Sequence, residues 1–332
     1  MLLLDSLHIN NSGGYVLLRY LISQLERQSI DVFYLIDSRC ASKFIGIPNE
    51  RKCIMAASIY ARYKWYKANN MRFSKILCFG NIPPPIKTEA IVYTYFHNIN
   101  LLNIPKTEQF KTKILSRLKR FVFKKLKVNT NYWIVQTSNT KSELVSHLSE
   151  NDRKVLILPF YDIKGVSANS LQRSGFVYAS NYVKQKNFEL VVEAWLQMAL
   201  KGFTPTLHLT LGNAPVALLD AIELANAQGA NIINHGFLSH NELFDLYRKT
   251  KALVYAATNE SLGLCLIEAL ENGCDVIAPD LPYVHSICDP SETFDLKSLE
   301  SLIQAIRRYQ KESKKSMLLV ENKIKELISL IC

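Results

Sequence analysis

The chain has no C-x-x-C pair, no phosphate loop of the form G-x-x-x-x-G-K-S/T, and no uninterrupted apolar run of about 18 residues, the length that crosses a bilayer. Its seven cysteines, Cys40, Cys53, Cys78, Cys265, Cys274, Cys288 and Cys332, are scattered and odd in number. Neither a disulfide framework nor a zinc site is expected from them, and a reducing compartment fits best. The missing phosphate loop removes the P-loop class. Met1-Leu2-Leu3-Leu4 before Asp5 is too short for a signal-peptide core, so neither secretion nor membrane spanning is expected and the location reads as cytoplasmic. Gly13-Gly14 has no third glycine at dinucleotide spacing, which argues against an NAD site. No short internal repeat or low-complexity segment is present.

Acidic residues are scarce in the first half. Residues 1–160 hold 24 Lys and Arg against 10 Asp and Glu, whereas residues 161–332 hold 16 against 19, so the net charge of +11 belongs to the first half. The basic residues gather in two runs, residues 51–75 with seven and no acid, and residues 106–127 with nine against Glu108 alone. An anionic partner is therefore expected near the first domain. In the second run Phe110, Ile114, Leu115, Leu118, Phe121, Val122 and Leu126 recur at helical spacing, which predicts a cationic amphipathic helix. It reads either as a core-packed helix with a solvated face or as an attachment to an anionic membrane surface, peripheral on the inner face of the cell membrane. No nucleic-acid partner is expected, because no recognisable fold motif accompanies the charge.

The length suits two domains of about 150 residues each. Residues 2–9 read as a strand, 10–14 as a glycine turn, 15–28 as a helix and 31–36 as a second strand, the first unit of a doubly wound sheet. Strands follow at 76–79, 90–96, 132–136 and 155–158, with a helix to residue 148 capped by Ser138 or Asn139. The polar stretch 162–174 reads as a linker. Beyond it, strands at 176–179, 206–211, 232–234, 252–257 and 276–279 alternate with helices at 188–199, 214–228, 243–249 and 264–271, and helices 296–311 and 317–331 close the chain. The expected class is α/β, with doubly wound parallel-sheet domains at 1–165 and 166–332 facing across a cleft, the last helix free to return to the first domain. Ligands of such sheets sit beyond the carboxyl ends of the strands, where Gly13-Gly14, Asn81, His97 and Glu260 all fall.

Two glutamates, Glu260 and Glu268, bracket Ser261-Leu262-Gly263-Leu264-Cys265-Leu266-Ile267. The first lies where an apolar strand runs out into a turn and the second on the helix that follows, at close to two turns' spacing, so both carboxylates can face one place. A strand, a glycine turn and a helix start aim backbone N–H groups at an anion. Carboxylates there accept hydrogen bonds from ribose or sugar hydroxyls. A nucleotide sugar meets both demands.

With Gly263-Leu264 inside the pair and Ala269-Leu270-Glu271-Asn272-Gly273 after it, this segment resembles the E-x7-E region of family 4 glycosyltransferases of the GT-B fold, whose two domains are Rossmann-like. The resemblance covers essentially the whole chain and is specific from about Phe176 to Asp280. It implies retaining transfer from a nucleotide sugar of UDP or GDP type to a glycan, such as a lipid-linked acceptor in bacterial surface polysaccharide (lipopolysaccharide or capsule) synthesis, with no other cofactor and no bound metal.

The resemblance also assigns roles. Gly13 and Gly14 would lie against the donor phosphates, and His97 would touch the donor sugar near the reacting carbon. Lys186 would meet the charge that develops on the departing diphosphate. Backbone amides of Ser261, Leu262, Gly263 and Leu264 would complete the phosphate cradle, with Glu268 on the ribose and Glu260 on the sugar. The family usually has an arginine five residues before the lysine, where this chain has Asn181. That departure leaves phosphate binding to Lys186, a neighbour such as Lys184, and the amides. The alternatives are a nucleotide-sugar epimerase or a phosphorylase on the same fold, or a non-catalytic scaffold.

Overall fold

A computed structural model describes residues 1–102, 121, 123–162, 172–312 and 314–332. The chain forms two units, Met1–Asp162 with Glu321–Cys332, and Ile163–Val320. Each is built on one parallel sheet with Rossmann-like alternation of strands and helices.

In the first unit the strands are β1 (Leu2–Asp5), β2 (Val32–Asp37), β3 (Lys52–Met55), β4 (Lys75–Cys78), β5 (Ile91–Tyr95), β6 (Tyr132–Val135) and β7 (Val155–Ile157). They run β3-β2-β1-β4-β5-β6-β7, every pair parallel. β1 and β2 are buried at every position, so they read as unbroken apolar runs, not as alternation. The strand order reverses at β1, which lies between β2 and β4, and the loops after β1 and β4 therefore flank the crevice where such sheets bind ligands.

Helix α1 (Ser12–Arg27) buries the stripe Leu17, Leu18, Leu21, Ile22 and Leu25. It starts before the expected residue 15, so Gly13 and Gly14 form its first turn and not a turn ahead of it. Asn11 is extended, and its carbonyl takes the Tyr15 amide at 3.2 Å, which closes that turn. The sequence reading missed β3 and helix α2 (Ile59–Asn69) altogether, because α2 carries no apolar stripe. Its buried residues are Arg62 and Tyr66, which both bond Oδ2 of Asp5 at 2.8 Å. Helix α3 (Ser138–Leu148) is capped by Thr137, whose side chain accepts the Thr140 amide, and not by Ser138 or Asn139.

The second unit holds β8 (Phe176–Tyr178), β9 (Thr206–Leu209), β10 (Asn231–Asn234), β11 (Ala252–Val254), β12 (Asp275–Pro279) and β14 (Glu292–Phe294) in one parallel sheet. β13 (Cys288–Asp289) pairs antiparallel with β15 (Met317–Leu318). The order β10-β9-β8-β11-β12-β14 reverses between β8 and β11. Between the strands lie α4 (Phe188–Leu200), α5 (Val216–Ala227), α6 (His240–Lys249), α7 (Leu264–Glu271), α8 (Pro282–His285) and α9 (Leu299–Lys311). A reciprocal cap between Ser239 and Glu242 starts α6 ahead of the expected residue 243.

Residues 317–331 are not one helix. After β15 the chain breaks at Asn322, whose Oδ1 accepts the Ile324 amide while Nδ2 donates to the Tyr161 carbonyl. The helix Ile324–Ile331 then packs Ile324, Leu327, Ile328 and Ile331 into the first unit. Among the described residues no helix is long and apolar enough to cross a membrane.

Candidate functional site

The strand order of the second unit explains which side chains meet. Lys186 follows β8 and Glu260 follows β11, the two strands that flank the reversal, and their loops converge. Lys186 Nζ forms an ion pair with Oε1 of Glu260 and donates to the Tyr255 hydroxyl at 2.6 Å. Tyr255 in turn donates to the same Oε1 at 2.7 Å, and the lysine lies 4.8 Å from its ring centre. The lysine's backbone is held as firmly. Its carbonyl accepts from the Tyr178 hydroxyl at 2.5 Å, and Tyr178 stacks on Phe188 with ring centres 4.3 Å apart. Asn187, left-handed at φ 49°, donates to the Ala256 carbonyl and ties this loop to the end of β11. Thr258 N bonds the Gln185 carbonyl at 2.9 Å, and the Tyr283 hydroxyl bonds the Ala257 carbonyl at 2.6 Å.

Oε1 of Glu260 is thus already engaged, while Oε2 has no partner among the described residues. The carboxylate neutralises the cation expected to serve the phosphate. Ser261, Leu262 and Gly263 are buried beside it, and Gly263, at φ 63°, is the residue from which α7 starts. A Cβ there would lie 3.0 Å from Leu266 Cδ1 and 3.1 Å from Ile287 Cδ1, so both the backbone angle and the space favour glycine. The Gly263 carbonyl accepts the amides of Leu266 and Ile267. Those of Leu264 and Cys265, in the first turn, have no acceptor within the helix. They are the donors an anion would take.

Among the described residues the Glu268 side chain, on α7, has no hydrogen-bond partner, although its backbone carbonyl accepts from Asn272. Burial without a partner pushes its carboxyl up to about 7. Tyr247, whose buried hydroxyl also has no partner among the described residues, feels the Glu268 charge. The Cys265 thiol is driven to about 12 by burial, and the charges of Lys186, Glu268 and Glu260 also act on it. A buried carboxylate beside helix-start amides that have no acceptor within the helix suits a ligand that is anionic at one end and rich in hydroxyls at the other.

The first unit presents its own cluster at the ends of β1, β4 and β5. His97, expected at the end of its strand, lies just past the end of β5, after Phe96, and its amide donates to Asn81 Oδ1 at 2.7 Å. Asn81 is buried in the left-handed region at φ 68°, a turn residue that holds the histidine backbone. The His97 ring packs 5.1 Å from Phe79 and 5.8 Å from Tyr95, and its buried Nε2 has no partner among the described residues. Burial lowers its pKa to about 4, so at neutral pH it is an uncharged imidazole that can share hydrogen bonds but cannot act as a cation. Gly14 makes this packing possible. A Cβ on it would lie 2.9 Å from Cε1 of His97.

Lys186, Glu260, Ser261, Leu262, Gly263, Leu264 and Glu268 therefore share one edge of the second unit, while Gly13, Gly14 and His97 share one edge of the first. Sequence reasoning missed Tyr255 and Tyr178, whose hydroxyls complete the lysine site. The available signal was a tyrosine at the carboxyl end of each apolar run flanking the reversal. Asn181 and Lys184 are exposed, with no partner among the described residues. Arg173, the nearest described arginine in sequence, is spent on the carbonyls of Tyr247, Thr250 and Asn272. In the basic run 51–75, Arg62 is a buried structural charge and Arg51 pairs with Glu26. Most of the predicted cationic helix, residues 106–120 and 122, lies outside the described residues, as does most of the predicted linker, residues 163–171. Of the helix, Phe123 is buried against Phe96 and Trp133.

Residues 162–326 match the family described as glycosyl transferases group 1. A curated relative, the UDP-N-acetylglucosamine–peptide N-acetylglucosaminyltransferase GtfA subunit of Streptococcus pneumoniae, is 26% identical over 158 residues, which are 46% of this chain and 31% of that protein. The match thus spans about a third of the relative's length. The fold is similar to that of sucrose-phosphate synthase from Thermosynechococcus elongatus, with a TM-score of 0.71 at 14% identity over 99% of this chain and 94% of that one. It is also similar to WaaG, a glycosyltransferase involved in lipopolysaccharide biosynthesis, with a TM-score of 0.69 at 13% identity over 94% and 91%. The fold class is GT-B.

Proposed function

Because residues 162–326 of this chain belong to the glycosyl transferases group 1, we propose that it moves a sugar from a nucleoside diphosphate sugar to a growing glycan. The donor is of UDP or GDP type. The acceptor is a glycan, lipid-linked in the synthesis of a bacterial surface polysaccharide. The pneumococcal relative's UDP-sugar donor and the lipopolysaccharide role of WaaG support the donor and acceptor classes.

One observation carries the reading: the Lys186, Tyr255 and Glu260 cluster stands at the sheet reversal beside the start of α7. The α7 amides and Lys186 meet the diphosphate, and the ammonium exchanges Glu260 for a phosphate oxygen while Tyr255 keeps it in place. Charge that develops on the departing diphosphate is then met by groups already oriented, the source of most electrostatic rate enhancement. Glu268 accepts the ribose hydroxyls, which satisfies a carboxylate otherwise short of partners. His97, neutral, holds a hydroxyl of the donor sugar without donating a full proton. The acceptor hydroxyl attacks from the face the diphosphate leaves, with retention, and no metal is required.

Calorimetric titration with UDP and with GDP tests the reading, followed by proton NMR of the product anomer from the matching sugar nucleotide in the presence of EDTA. Binding of one nucleotide and a retained anomer are expected. Failure of both nucleotides to bind would end it.

A further inference from the structure

Helix α2 buries a charged side chain and leaves several apolar ones in solvent. Its buried positions carry Arg62 and Tyr66. The arginine is fully engaged, with Nε on Asp5, Nη1 on the Pro83 carbonyl at 2.8 Å and Nη2 on the Ile82 carbonyl at 3.0 Å. Trp65 packs on Phe33 and Phe73 beside them, but Ile59, Tyr60, Tyr63 and Met71 point the other way. Ile59 is 57% exposed, Tyr60 65%, Tyr63 39%, and Met71, in the short turn Asn70–Arg72 that continues the helix, 77%. Single exposed apolar residues are ordinary, but a row of them opposite a buried arginine is not.

The exposed residues form a stripe. Tyr60, Tyr63, Lys64, Lys67 and Met71 recur at i, i+3, i+4, i+7 and i+11, and Lys64 Nζ lies 4.6 Å above the Tyr60 ring. The charge here has one sign, with no acidic residue between Glu50 and Glu89. Neighbouring cations are taken up by the fold: Arg72 lies over the Phe33 and Phe73 rings, and Lys75 bonds the Leu330 carbonyl. Lys64 and Lys67 are left facing outward.

We propose that the outer face of α2 docks this unit on an anionic membrane surface. The helix lies flat, with Tyr60 and Tyr63 at headgroup level, where a ring that is apolar in body and polar at its tip is most stable. Ile59 and Met71 enter the acyl boundary, and Lys64 and Lys67 lay their stems along it while their ammonium groups reach lipid phosphates. Exposed tyrosines and apolar side chains interleaved with lysines of one charge sign complement the headgroup layer of an anionic membrane. The buried Arg62 to Asp5 pair anchors the helix from behind, so the face is presented rigidly. Docking goes beyond the transfer reading and needs no nucleotide.

The test is sedimentation of the full chain with vesicles of phosphatidylcholine alone and with 30% phosphatidylglycerol, about a third anionic lipid, a composition chosen to resolve charge dependence. The unaltered protein is expected to bind the anionic vesicles only, and less as salt rises. Lys64→Ala with Lys67→Ala should lower the partition coefficient about thirtyfold, from about 1 kcal/mol per lysine at 1.4 kcal/mol per tenfold. Tyr60→Ser with Tyr63→Ser should also release it, with thermal melting unchanged because these residues are exposed. Nucleotide titration of both variants should match the parent, which separates failure of docking from failure of the transferase reading. No binding by the parent, equal binding by the variants, or a self-association that the variants lose, marking the face as a contact between copies, overturns the proposal.

Discussion

Lys186 and Glu260, 74 positions apart, are bonded to each other, and both are bonded to the hydroxyl of Tyr255. Each is mostly buried, so removing one leaves the other without a counter-charge in poor solvent. Lys186→Met and Glu260→Gln should each lower stability by about 1–3 kcal/mol. The double variant should lose less than the sum, with a coupling of about 1 kcal/mol or more by denaturant unfolding. Additive losses would mean that the contact contributes nothing.

The same pairing separates the two glutamates by what their loss does to nucleotide binding. Glu268→Ala removes the carboxylate assigned to the ribose and should weaken UDP or GDP roughly tenfold or more, as loss of a charged hydrogen bond does. Glu260→Ala frees Lys186 for phosphate. It should leave nucleotide affinity unchanged or raised while transfer falls sharply. Calorimetry on both variants decides the assignment, and weaker nucleotide binding in Glu260→Ala would reverse it.

Glu268 also predicts a pH dependence. Its carboxyl, ordinarily near 4.5, is raised to about 7, so burial favours the protonated form and the group costs stability as pH rises from 4.5 through 7. Nucleotide binding needs the ionised form as acceptor. Affinity should therefore climb about tenfold between pH 6 and pH 8, the change in ionised fraction across a pKa near 7. Glu268→Gln should flatten that profile and raise the melting temperature at pH 8 relative to pH 5.

His97 acts on the acid side. A folded-state pKa near 4 against 6.5 when unfolded means that the unfolded chain binds a proton the native one refuses. Stability should fall as pH drops from 6.5 towards 4, by on the order of 3 kcal/mol for a shift of this size. His8, whose pKa burial also lowers, adds to the slope. The slope of melting temperature against pH, compared between the parent and His97→Asn, measures the histidine's share. Equal slopes would remove it from the account.

Two glycines make a matched pair of predictions. Gly14→Ala places a methyl 2.9 Å from the His97 ring on an otherwise helical backbone, so it should cut transfer more than it costs stability. Gly263→Ala must hold φ 63° with an L side chain and should cost about 1–2 kcal/mol in thermal unfolding. If Gly14→Ala leaves transfer intact, His97 does not touch the donor.

The alternation of strands and helices was legible in the sequence because buried parallel strands read as apolar runs such as Leu2-Leu3-Leu4 and Val32-Phe33-Tyr34-Leu35-Ile36. So was the segment from Glu260 to Glu268, where local chemistry fixes a turn at Gly263 and a helix at Leu264. Elements stabilised by distant partners were not legible. Helix α2 hides because a buried arginine, partnered by Asp5, interrupts its inward face, and the break at Asn322 depends on the Tyr161 carbonyl on another segment. Sequence by itself determined the fold class, the two sheets and which loops stand at the carboxyl ends of the strands, since periodicity and turn chemistry are local. Only the tertiary structure decided that Glu260 faces a lysine, that Glu268 is buried without a hydrogen-bond partner among the described residues, and that His97 is neutral, since charge and burial are set by neighbours remote in the chain.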